Sequence, residues 1–184
     1  VIDAVIKVGG SLLTQGEALP RTIAALELLA ATRTILVVPG GGPFADAVRA
    51  AGEIQPLSDD DAHWMAILGM EQFALLLASR IPNAELVHRP GEIARAVARH
   101  TIPVLAPYRW LREADPLPHS WDVTSDSIAA WVAARVGAQR LILIKPSGHD
   151  PHTAVDRYFD RALSPAMKLS IVTPDTLTGS WFPD

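Results

Sequence analysis

Cysteine is absent from the 184 residues, which removes disulfides, thiolate nucleophiles and cysteine-based metal centres. Lysine is almost absent: Lys7, Lys145 and Lys168 stand alone against an arginine-rich background, so the surroundings of each lysine carry information. No apolar run reaches the roughly 18–20 residues that a membrane-spanning helix needs. Surplus positive charge is missing too. The formal net charge is -4, whereas a chain that neutralises nucleic-acid phosphates is normally basic, so no nucleic-acid partner is expected. The first residues show no basic stretch followed by a small-residue cleavage site, and with the lack of cysteine this gives the expectation of a cytoplasmic protein. What is present is ordinary globular composition, 49% apolar and 20% charged. A length of 184 predicts one domain over residues 1–184, with a substantial core.

Along the chain, short β-branched or leucine-rich runs alternate with helical periodicity. Residues 4–8 (AVIKV), 34–38 (TILVV), 102–106 and 140–144 (RLILI) read as buried strands; residues 84–88 and 169–172 read as weaker ones. Helices are predicted at 17–32, 43–51, 58–80, 90–99 and 124–136. Ser58 is placed to cap the longest, with Asp59, Asp60 and Asp61 at the positive end of its dipole. Residues 108–121, with two prolines and two tryptophans, read as irregular, and 151–163 have no clear pattern. Uniformly apolar strands separated by helices predict an α/β fold, a three-layer α/β/α sandwich around a mainly parallel sheet.

Three features carry chemistry. Gly9-Gly10-Ser11 and Gly40-Gly41-Gly42 each follow a buried strand, where glycine lets main-chain amides approach an anion. Neither is a Walker A or G-x-G-x-x-G sequence, and each has a plain-turn alternative. Lys7 interrupts an apolar strand two residues before the first glycine pair. It is either an edge-strand lysine reaching solvent or a cation held for a phosphoryl group. Asp122 and Asp126 stand four apart where a helix begins; they cap it, or they share a face and orient a lysine or a metal. His63, on the long helix, reads first as a packing or capping residue, with substrate contact as the alternative. Trp64, Met65, Leu68, Phe73 and Leu76 read as core or as a homodimer interface. Arg109, Arg112 and His119 lie in a segment that reads as a solvated loop or as an anion-recognition loop. The close spacing of His149, Asp150 and His152 gives no metal-site expectation.

In order and spacing, VIKVGGSLL (5–13), VVPGGGPFADAVR (37–49) and WDVTSDSIAAWVAARVGAQRLILIKPSG (121–148) resemble the amino acid kinase family of ATP-dependent small-molecule phosphotransferases. The length and the segments PGGGPFADAVR, AHWMAILGMEQFALLLA and SWDVTSDSIAAW are most similar to the small kinases of methanofuran biosynthesis and their bacterial relatives in C1 metabolism. The resemblance implies ATP and Mg²⁺ as cofactors and a small anionic acceptor, such as an aminomethylfuran phosphate or a carboxylate. A non-catalytic nucleotide- or oxyanion-binding member of the same fold is the alternative. It implies catalytic roles for Lys7, Asp126 and Lys145, the last in place of the family's late lysine, which Ala166-Met167-Lys168 matches poorly. Nucleotide contacts are implied at Gly9, Gly10, Ser11, Gly41, Ser125, Ser147 and Gly148. Acceptor contacts are implied at Gly40, Gly41, Gly42, Phe44, Asp122 and Thr124.

Overall fold

A computed structural model describes residues 1–147 and 155–177. The buried runs become strands β1 (Ala4–Val8), β2 (Ile35–Pro39), β3 (Ala84–Val87), β4 (Ile102–Leu105), β5 (Arg140–Ile144) and β6 (Lys168–Val172). They form one six-stranded sheet in the order β3-β4-β2-β1-β5-β6, and every pairing is parallel. Helices α1 (Ala18–Ala30), α2 (Gly42–Ile54), α3 (Asp59–Arg80), α4 (Pro90–Ala98), α5 (Tyr108–Ala114), α6 (Ser125–Arg135) and α7 (Phe159–Ala162) connect and cover the strands.

Alternation along β1 splits the core in two. Val5 packs with Leu36, Val38, Leu141 and Leu143 under α4, α5 and α6. Ala4, Ile6 and Val8 pack with Ile35, Val37 and Ile142 under α1. The long helix α3 serves both cores, through Trp64, Ile67 and Met70 near its start and Phe73, Ala74 and Leu77 near its end. The sheet is therefore covered on both faces, as the uniformly apolar strands require.

The chain winds from β1 through β2 toward β4 and β3 on one side, then returns to place β5 and β6 on the other. The boundary between β1 and β5 is thus a topological switch point, where open parallel sheets leave a crevice at the carboxyl ends of their strands.

The largest difference from expectation is α5, seven helical residues inside the segment that reads as irregular. Pro107 stands at its N-cap, Trp110 and Leu111 are buried, and Asp115 turns left-handed at φ 39° to end it, so the prolines at 116 and 118 act after the helix rather than within it. Helix α2 runs to Ile54, three residues past the predicted end. The first glycine loop does not feed a helix directly. It enters a single 3-10 turn, Gly10–Thr14, and α1 begins later at Ala18.

Candidate active site

Lys7 lies on β1, between β2 and β5, with Val38 and Leu143 as register partners. A central strand gives a lysine no route to the sheet edge, and its side chain is only 5% exposed. It shares the sheet face of Val5, which α6 covers. The carboxylate that meets it comes from the first turn of α6: Asp126 Oδ1 lies 3.0 Å from Lys7 Nζ. Lys145, the first residue after β5, donates from Nζ to Asp126 Oδ2 at 2.5 Å. One buried carboxylate therefore spans two buried ammonium groups, leaving one surplus positive charge at the switch point.

The protonation balance records that surplus. Burial works to raise the Asp126 carboxyl, but the charges of Lys7 and then Lys145 outweigh it and hold the group below its ordinary 3.8. Lys145 is pulled below 10.5, first by burial and then by the charge of Lys7, with Asp126 only partly compensating. An incoming anion would relieve this strain.

The glycine loops meet above this cluster. A side chain at Gly10 would place its first carbon 2.1 Å from Gly42 N, and one at Gly42, which has φ +51°, would lie 2.5 Å from Gly10 O. Main chain thus crosses main chain with no room for a methyl group. Leu12 N already donates to Gly9 O at 3.1 Å and Ala45 N to Gly41 O at 3.4 Å, whereas the amides ahead of them open helical segments, where no intrahelical acceptor is available and an anion could take that place. The Gly9 and Gly40 amides are already used, donating to Ile144 O at 3.1 Å and Val8 O at 2.8 Å.

These elements border a cleft of about 270 Å³ lined by Lys7, Gly10, Ser11, Gly41, Gly42, Thr124, Ser125, Asp126 and Lys145, among others. The remaining expected contacts fall elsewhere. Gly9 and Gly40 do not line it, because their amides extend the sheet ladder. Phe44 packs against the second core, and its backbone meets α3 at Gly69, so it fixes α2 on α3. Asp122 precedes the helix, since α6 starts at Ser125; four-residue spacing therefore does not place it on a helical face with Asp126. It is exposed, 3.5 Å from Arg157 Nη1. Thr124 reaches the cleft but its hydroxyl donates to Asp156 at 2.7 Å. Ser147 lines a separate cavity of about 220 Å³ with Arg21 and Asp175. Gly148, like His149, Asp150 and His152, lies outside the described residues. Lys168 opens β6 at the amino-terminal end of the sheet, opposite the cleft, whereas Lys145 leaves β5 at the cleft end.

Several cleft residues carry little signal in the sequence. Arg49 and Trp121 line it together, the guanidinium 4.3 Å over the indole ring. His63, Ala66 and Met70 form its α3 wall. Asp156 holds the start of α6 from outside, accepting bonds from Thr124 N (2.9 Å), Ser127 N (3.1 Å) and Ser127 Oγ (2.5 Å).

Nucleotide phosphates suit this donor set: two ammonium groups, one carboxylate that orients both, and a glycine cradle that any Cβ would fill. Among the described residues there is no cluster of three His, Asp or Glu side chains placed to hold a metal ion. A Mg²⁺ ion arriving here would be carried mainly on phosphate oxygens and water.

Comparison with known proteins agrees. The family model described as the amino acid kinase family matches residues 4–147. The [5-(aminomethyl)furan-3-yl]methyl phosphate kinase of Methanocaldococcus jannaschii is 27% identical over 159 residues, covering 85% of this chain and 68% of that protein. The uridylate kinase of Archaeoglobus fulgidus superposes with a TM-score of 0.71 at 16% identity, covering 96% of this chain and 94% of its own. Aspartate kinase from Synechocystis gives 0.64 at 14% identity, over 94% of this chain and 38% of its own. At such identities the two structures speak to fold alone.

Proposed function

This chain belongs to the amino acid kinase family, and we propose that it is an ATP-dependent kinase that phosphorylates a small phosphate monoester, such as an aminomethylfuran phosphate, to a diphosphate. The observation that carries this is the pairing of Lys7 and Lys145 on one buried carboxylate, directly beneath two glycine loops.

In such a transfer an acceptor phosphate oxygen bonds to the γ-phosphorus as the bond to the β,γ-bridging oxygen breaks and ADP leaves. Bound Mg²⁺ would supply charge compensation on the nucleotide phosphates. An ionised acceptor phosphate has no proton to remove, so no general base is needed. Asp126 then positions the two lysines, and their ammonium groups with the loop amides stabilise charge on the equatorial oxygens. Gly10 and Ser11 would meet the nucleotide side, and Gly41 and Gly42 the acceptor side. Ser147, with the second cavity, would lie toward the nucleoside.

The test is ADP release from ATP and Mg²⁺ with a panel of phosphate and carboxylate acceptors. Lys7→Ala should lower turnover at least about 100-fold with the fold retained; turnover within about tenfold of wild type removes Lys7 from the reaction. Nucleotide binding without ADP release from any acceptor would favour a binding-only member of the fold.

We also take residues 1–184 as one domain acting in the cytoplasm as a homodimer. Among the described residues no helix is long and apolar enough to cross a membrane. Met65, Leu68 and Leu75 form an exposed apolar stripe on α3 that a second copy of this chain would cover.

A further inference from the structure

The α3 wall of the cleft is graded. Asp59, His63, Ile67 and Met70 follow one helical face, with Ala62 and Ala66 between them. At Gly69 the helix touches the backbone of Phe44 and Ala45, so the Met70 end lies against the start of α2 and its glycines. His63 lies seven residues back, about 10 Å along the axis. A molecule with its phosphate at the glycine loops would cross small and apolar side chains and end at His63 and Asp59.

His63 is held but not used. Its ring stacks on His119 at 4.2 Å and 19°, and meets the edge of Trp64 at 4.9 Å. His119 is pinned through both ring nitrogens, to Asp60 Oδ1 at 2.6 Å and Asp115 Oδ1 at 2.8 Å. Trp64 Nε1 donates to the same Asp60 oxygen at 3.3 Å. These contacts fix the plane of the His63 ring, and among the described residues neither of its nitrogens has a hydrogen-bond partner. Burial, and next the charge of His119, lower His63 to about 4 against the opposing pull of Asp115 and Asp60, so the ring is neutral near pH 7. It then offers one acceptor nitrogen and one N–H.

The nearby charge selects which of these is used. Asp59 stands one turn away on the same face; Asp46 lines the cleft from α2 but is paired with Arg49, so those two together add no net charge. Arg49 is engaged, 2.7 Å from Asp46 Oδ1 and stacked on Trp121. Behind the ring stacks His119, held between Asp60 and Asp115; in front, a distal anion would meet the Asp59 carboxylate and an uncharged ring, whereas a distal N–H donor would meet an acceptor nitrogen with Asp59 one turn away.

We propose that His63 determines acceptor specificity: its ring accepts a hydrogen bond from an amine at the end of the acceptor opposite the phosphate, with Asp59 supplying the countercharge, an assignment that rests on the kinase reading above and deepens it. The site thereby measures two points of its acceptor, an anion at one end and an amine at the other.

The test compares two probes, [5-(aminomethyl)furan-3-yl]methyl phosphate and its counterpart with methyl in place of aminomethyl, on wild type, His63→Phe and His63→Gln. Binding is measured by calorimetry and kcat/KM by ADP release. Phenylalanine keeps the stack on His119 and removes the nitrogens. It should weaken the amine-bearing probe at least about tenfold while leaving the amine-free probe within about twofold, and glutamine should recover part of the loss. Equal loss on both probes, or loss on neither, overturns the assignment, as does a wild type that binds the amine-bearing probe no more tightly. A wild type that binds both probes but releases no ADP defeats the kinase reading, while the binding comparison still decides His63.

Discussion

Two of the chain's three lysines converge on one carboxylate, and their different surroundings give the site a pH signature. Lys145 is pulled below 10.5 by burial and by its neighbour Lys7, so it loses its proton at lower pH than an ordinary lysine. As pH rises through that lowered value the surplus charge disappears, and kcat/KM should fall on an alkaline limb below pH 10.5. Lys145→Arg, whose guanidinium stays charged, should move the limb upward; an unmoved limb would assign it to another group. Linkage moves stability the opposite way. Between the folded and ordinary values of Lys145 the unfolded chain binds more protons, so stability rises with pH there. Asp126 acts at the other extreme: its lowered value contributes stability that is complete above 3.8 and lost as pH falls through the folded value. At this scale Lys7 was legible, because an ammonium in an apolar strand has few explanations. His63 was not: its helical spacing equally fits core packing, and its stacking partner is 56 residues away in sequence.

At the scale of elements, the strands and glycine loops were legible, since apolar runs ended by glycine have few folded solutions. The start of α6 was less so. Thr124 is the N-cap, its hydroxyl accepting from Asp126 N at 3.4 Å, but the stronger restraint is Asp156 from beyond β5. No local pattern could reveal a cap supplied across 29 to 32 residues from a segment without periodicity. Because this clamp sets where Asp126 begins its turn, Asp156→Ala should cost about 1–3 kcal/mol in urea unfolding. It should also lower kcat by roughly tenfold, since a small displacement of positioned groups is costly. An unchanged kcat with lost stability would leave Asp156 as a cap alone. Helix α5 was hidden for a related reason: two prolines just past its end masked a turn that Trp110 and Leu111 stabilise through burial.

For the whole molecule, the parallel order was legible from alternation of strand and helix, but the position of the switch point was not, because strand order depends on crossovers that composition does not encode. Assembly belongs to this scale as well. The Met65, Leu68 and Leu75 stripe predicts a dimer by sedimentation at micromolar concentration, and Leu68→Glu with Leu75→Glu should yield monomers that keep their helical signal. A wild type that sediments as a monomer would leave the stripe uncovered. The crossing of Gly10 over Gly42 has a consequence for the middle of the sheet. A methyl group added at either point would act as a wedge between neighbouring strand tips, so the pockets proposed for phosphoryl donor and recipient would lose alignment in a single step and neither could be reshaped while the other stayed put.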